Sequence, residues 1–189
     1  MNAKRLMALA IPFLFLASFV QAGDKLKISP DQRYLMLVTT KTSTMQKELD
    51  EAAEQGFRIV MGSPTSSWEM AMLLERKAQP PDTYKYRLLA TTRTGTMQKE
   101  LNDAAKDGYR LLARTMIAKS QILGMVEVVL VLERAPGTDK RYEYKLLGTT
   151  SASKLQKEVA EAEADGFVLM GMVSRGSHLV IMEKETQSK

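Results

Sequence analysis

One pattern constrains this chain more than any other: nearly the same stretch is written three times. TTKTSTMQKELDEAAEQGF runs from Thr39 to Phe57, TTRTGTMQKELNDAAKDGY from Thr91 to Tyr109, and TTSASKLQKEVAEAEADGF from Thr149 to Phe167. Each copy follows a short apolar segment that begins YLMLV at Tyr34, YRLLA at Tyr86 and YKLLG at Tyr144, so the units recur after 52 and then 58 residues. A repeat of this period is one supersecondary unit that must share a core with its neighbours. The fold therefore has to be read as a unit and a way of joining units.

Each unit reads strand, helix, strand, strand. In YKYRLLA, Tyr84, Tyr86 and Leu88 alternate with Lys85 and Arg87; YEYKLLG repeats this with Tyr142, Tyr144 and Leu146. Period-two alternation predicts a strand with one buried face. Met45, Leu49 and Ala52 then follow at helical spacing, as do Met97, Leu101 and Ala104, and Leu155, Val159 and Ala162. These are narrow apolar stripes of helices packed on a sheet. Gly56, Gly108 and Gly166 end the helices, because glycine takes a left-handed turn without a Cβ clash. The second strands begin FRIVMG, YRLLART and FVLMGMV, and the third read AMLLER, EVVLVLER and HLVIMEK. Between them lie GSPTSSW, MIAKSQILG and SRGS; the second of these, near Ser120, is the longest. The abundant methionines, Met45, Met72, Met97, Met170 and Met172 among them, are expected to fill an irregular core.

The recurring polar residues have structural readings. Ser43 with Gln46, and Ser153 with Gln156, have the spacing of a capping box. Glu75, Glu133 and Glu183, each followed by a base, are expected to face solvent or guard an edge. Lys47 with Glu51, Lys99 with Asp103 and Lys157 with Glu161 form solvated i,i+4 pairs.

MNAKR followed by an apolar run from Leu6 to Val20 and by Val20-Gln21-Ala22 is the pattern of a cleaved secretory signal over residues 1–22. The predicted location is periplasmic or secreted, with no membrane span after cleavage. There is no cysteine, which excludes thiol chemistry and disulfide staples. The formal charge of +5 falls to +3 once Lys4 and Arg5 leave. The signs are well mixed with no polybasic run, so no nucleic-acid partner is expected.

Catalytic groups usually break the symmetry of a repeat, so the unique residues are the candidates. His178 is the one histidine and Trp68 the one tryptophan. His178 lacks a second imidazole or a thiolate to build a metal site with. Trp68 offers a small aromatic contact. Thr40, Thr92 and Thr150 close the first strand of each unit near a helix start, where anions are favoured. These five are candidate binding residues; no catalytic residue, metal site or cofactor is expected, and no phosphate loop or HExxH is written.

Tyr142, Tyr144, Gly166, Phe167 and Glu183 together resemble bacterial domains of unknown function of the DUF4177-like type, here in three tandem copies. That resemblance implies a tyrosine-rich first strand, a helix ending in Gly and an aromatic-led second strand. Phe or Tyr stands where the usual Trp would be, and the family supplies no catalytic residues.

The expected architecture is α+β: a lead at residues 23–32, then tandem β-α-β-β repeats at 33–77, 84–135 and 142–185. They build a mixed sheet with helices on one face, in a pseudo-threefold packing or as one long sheet. The expected function is a non-enzymatic binding or structural module with a protein or small-molecule partner. The alternative is a small hydrolase or ligand-sequestering protein with a site between repeats.

Overall fold

The computed structural model describes residues 25–66, 68–77, 83–120, 125–174 and 176–186. The expected signal peptide and the last residues of the tail lie outside the described residues. The first repeat runs β1 (Tyr34–Thr39), α1 (Thr42–Glu54), β2 (Phe57–Pro64) and β3 (Met70–Arg76). The second runs β4 (Lys85–Thr91), α2 (Thr94–Lys106), β5 (Arg110–Leu111), a 3-10 turn (Ala113–Thr115), β6 (Ile117–Ser120) and β7 (Val126–Arg134). The third runs β8 (Arg141–Thr149), α3 (Ala152–Ala164), β9 (Val168–Ser174) and β10 (His178–Thr186). No described helix is long and apolar enough to cross a membrane.

The protein is a mixed α+β fold with three helices and three discrete sheets rather than one continuous sheet, in orders β1-β3-β2, β4-β7-β5 with β6 also on β7, and β8-β10-β9. Every hydrogen-bonded neighbour is antiparallel. The helical crossover returns the chain parallel to its first strand but one strand away, and the last strand of the unit fills the gap. This split β-α-β arrangement explains why the third segment is the most buried strand of each unit: it becomes the central strand. Gly56, Gly108 and Gly166 take φ of 83°, 85° and 85° directly after the helices. That is the left-handed turn their position calls for.

The core explains how the units join. Each sheet has a front face under its own helix and a back face. One cluster combines α1 and the front of the first sheet (Met45, Leu49, Leu37, Leu74) with the back of the second (Tyr86, Val129, Val131). The next combines α2 and the front of the second sheet (Met97, Leu101, Leu130) with the back of the third (Tyr144, Leu179, Ile181). The third holds only α3 and the front of the third sheet (Leu155, Val180, Met182). Helix α1 accordingly lies against β4, and α2 against β8, as well as against their own sheets. The first strands of the second and third units keep their one buried face near their starts, as expected, while the sheets they belong to are covered on both faces. Val128 to Leu132 of β7 are buried without a break, whereas β1 alternates exposed and buried because no described strand or helix covers its back.

Two further expectations change. In the second unit the stretch read as a loop near Ser120 contains a strand, β6, which continues the edge that β5 begins. The buried Thr115 makes the step possible. Its hydroxyl donates to the Leu112 carbonyl at 2.7 Å and accepts from the Val131 amide at 3.2 Å, satisfying backbone that the break leaves open. Met172 is exposed rather than a core filler, while Met45, Met72 and Met97 are buried as expected.

Candidate functional site: the joints between repeats

The first threonine of each pair closes the strand-to-helix turn. Thr39, Thr91 and Thr149 accept through Oγ1 from the amides of Lys41, Arg93 and Ser151 at 3.2, 3.1 and 3.1 Å. The capping boxes are not formed. Lys41 and Arg93 occupy the N-cap positions without a side-chain cap, and the third helix is capped by Ser151, which accepts from the Lys154 amide at 3.4 Å. The helices start earlier than the box requires, which puts Ser43 inside the first helix and Ser153 inside the third, and frees the glutamines.

The glutamines reach across to the next repeat. Gln46 Nε2 donates to the Tyr86 carbonyl at 3.0 Å, and its Oε1 accepts from the Leu88 amide at 2.7 Å. Gln98 does the same to Tyr144 and Leu146, with both distances 2.7 Å. Strands β4 and β8 are sheet edges, so each carries a row of unpaired backbone groups. A primary amide presents one donor and one acceptor side by side and satisfies two of them at once. Asn102 adds a second amide at the later joint. It donates to the Tyr144 carbonyl at 3.1 Å and accepts from the Tyr144 amide at 2.8 Å.

The second component is ionic. Arg58 at the start of β2 forks onto Glu133 of the next unit, Nε to Oε2 at 2.9 Å and Nη2 to Oε1 at 2.7 Å. Tyr86 Oη donates to Glu133 at 3.2 Å and accepts from the Ile59 amide at 3.1 Å. The guanidinium also lies over the Tyr84 ring, 4.4 Å from its centroid. The second joint repeats the set. Arg110 meets Glu183 at 2.8 Å, Tyr144 Oη donates to Glu183 at 2.7 Å and accepts from the Leu111 amide at 2.8 Å, and Arg110 lies over Tyr142. Burial, then the neighbouring glutamate, pushes the phenols of Tyr86 and Tyr144 well above the ordinary tyrosine range. They stay protonated and donate. The hydrogen bond to the glutamate raises each arginine further.

Glu133 and Glu183 thus overturn their sequence reading. They sit on central strands, with only 2% of Glu183 exposed. A buried carboxylate has to be paired and hydrogen-bonded to be tolerated, and each is. The strand register brings the partners together, with Tyr86 opposite Glu133 and Tyr144 opposite Glu183. The second unit also reaches backward: Lys119, buried on β6, pairs with Glu127 at 3.2 Å and donates to the Thr40 carbonyl at 2.8 Å.

The predicted binding residues lie at the strand-to-helix ends of separate sheets. Thr40, Thr92 and Thr150 are exposed just past β1, β4 and β8. Trp68 projects from the β2–β3 turn, half exposed, with a φ of 64°. His178 opens β10 opposite Thr149, and its Nδ1 lies 3.2 Å from Ser174 Oγ. The helix pairs Lys47–Glu51 and Lys157–Glu161 form at 3.6 and 3.8 Å, whereas Asp103 turns to Lys106. Among the described residues no cluster of three or more His, Asp or Glu is placed to hold a metal, and no buried side-chain nitrogen or oxygen lacks a partner. Compared with known proteins, the chain matches no family model, no curated protein and no solved structure.

Proposed function

We propose that the chain is a non-enzymatic structural or binding module of the periplasm or the secreted fraction, of the DUF4177-like type. The observation that carries this reading is the use made of the recurring polar residues. Gln46 and Gln98, the two Arg–Glu–Tyr sets and the leading threonines are engaged in joining or closing repeats. Export rests on the charged start, the apolar run to Val20 and the small residues before Gly23. A protein without cysteines needs some other means of holding small units together outside the cell, and the joints supply one.

One contact favours the hydrolase alternative: the hydroxyl of Ser174 beside the His178 imidazole. A serine nucleophile needs a base within such reach, and the base needs a third group to orient it. An activated-ester assay compares the wild type with Ser174→Ala and His178→Ala. The expected result is equal, background-level hydrolysis by all three. Turnover that disappears in both variants would establish the enzyme and remove the module reading.

A further inference from the structure

The two joints are the same device used twice, and the chain holds the loose halves of a third. In each joint the forward unit contributes a back face and an edge strand, and the preceding unit a front face, a helix glutamine and the start of its second strand. The first repeat has a back face that no described strand or helix covers, with the Arg33 guanidinium over the Tyr34 ring at its edge. Tyr34, the counterpart of Tyr86 and Tyr144, is 49% exposed, whereas Tyr144 is 1% exposed. Met36 and Val38 beside it on β1 are exposed too, and Met61 joins them across Leu73. The third repeat has a front face that, among the described residues, no further sheet covers. Leu169 stands where Ile59 and Leu111 stand in the earlier units; Leu111 is 2% exposed and Leu169 61%. Val168 and Met172 extend the same apolar edge. Seven of the nine large apolar side chains exposed among the described residues belong to these two ends, Trp68 and Met125 being the others, so the exposure is concentrated there. Contiguous exposed apolar area of this kind marks an interaction surface.

We propose that a second copy of this chain docks head to tail, its β1 seated against α3 and β9 of the first copy as β4 seats against α1 and β2. Gln156 occupies the position of Gln46 and Gln98, and the backbone edge at Tyr34 and Met36 corresponds to the edges those residues clasp; the Tyr34 carbonyl, which here accepts from Gln32 Nε2 at 2.8 Å, would exchange that partner for Gln156. The Leu169 amide corresponds to the amides that donate to Tyr86 and Tyr144. One member of the set differs: Val168 replaces the arginine. The difference is matched at the other end, where Glu75, the counterpart of Glu133 and Glu183, is already paired with Arg33 at 3.0 Å and with Lys77. The incoming copy therefore brings its own counter-charge, and an apolar residue meets it. A contact between unlike surfaces is heterologous and leaves both free ends available again. The proposal rests on the joints and is independent of any ester turnover.

The test uses the protein produced from its full sequence, with Met36→Lys to block the head and Leu169→Lys to block the tail; both sites are exposed, so folding is preserved. Mass is followed by light scattering and sedimentation from about 1 to about 300 μM, a range suited to weak to moderate contacts. The wild type is expected to grow in mass with concentration, and each variant alone to remain monomeric. An equal mixture of the two variants, with one good head and one good tail between them, is expected to form dimers and nothing larger. A wild type that stays monomeric overturns the proposal and assigns the ends to another protein. Dimers formed by either variant alone overturn it as well, since they require like surfaces to meet.

Discussion

At the scale of single residues, the joint pairs one partner that can retreat to water with one that cannot. Arg58 is 41% exposed on its side chain, and Glu133 is buried under the next strand. Removing the arginine leaves a carboxylate stranded; Arg58→Ala is expected to destabilise the fold by about 2–4 kcal/mol, near the range for broken buried pairs. Glu133→Gln keeps a hydrogen-bonding group of the same shape and lets the guanidinium turn outward, so it should cost less, about 1–2 kcal/mol. Urea unfolding of the two variants checks the order, and an equal or reversed cost would mean that the carboxylate is not the strained partner. The sequence displayed Arg58, Tyr86 and Glu133 plainly but not their meeting. They lie on three different strands, and which strand is central is decided by the insertion of the last strand between the first two. A charge near a strand end ordinarily faces water, and Glu133 and Glu183 depart from this because the preceding repeat covers them.

At the scale of elements, the helices were legible and their glutamines were not. The apolar spacing of Met45, Leu49 and Ala52 identifies the helix because the period belongs to the helix alone. The role of Gln46 belongs to a neighbour about 40 residues on, for which local spacing carries no signal. The glutamine series makes a controlled comparison. Gln46→Ala leaves the Tyr86 carbonyl and the Leu88 amide without their partner at a covered edge, and should cost about 1–2 kcal/mol. Gln98→Ala should cost less, because Asn102 still holds the Tyr144 carbonyl. Gln156 clasps no strand among the described residues, so Gln156→Ala should stay within about 0.5 kcal/mol of the wild type when monomeric. Denaturant midpoints at low protein concentration check the series; a large loss from Gln156→Ala would show that the third glutamine is engaged within its own unit.

At the scale of the whole molecule, stability is coupled through two buried phenols. In the unfolded chain a tyrosine ionises near pH 10, whereas Tyr86 and Tyr144 resist ionisation in the fold because of burial and the adjacent glutamate. The folded state therefore holds protons that the unfolded state loses. Their contribution is fully present below the unfolded value and falls as pH rises above it, by up to about 1.4 kcal/mol per pH unit for each phenol. Unfolding free energies between pH 9 and pH 11 should fall more steeply for the wild type than for Tyr144→Phe, and parallel curves would remove the assignment. The number and type of units could be read from the repeat, since each is fixed by local periodicity. Their order in space could not: the alternation of Tyr84, Tyr86 and Leu88 shows that one face is buried without saying that a preceding repeat buries it.

The clasping amides reach only forward, from each helix to the edge of the unit after it. A stack assembled in this way has polarity, as a staircase has an up and a down. Nothing in the geometry of one step states how many steps there are. Such an arrangement has a direction without an intrinsic count, and a unit inserted between any two others meets the same chemistry on both sides.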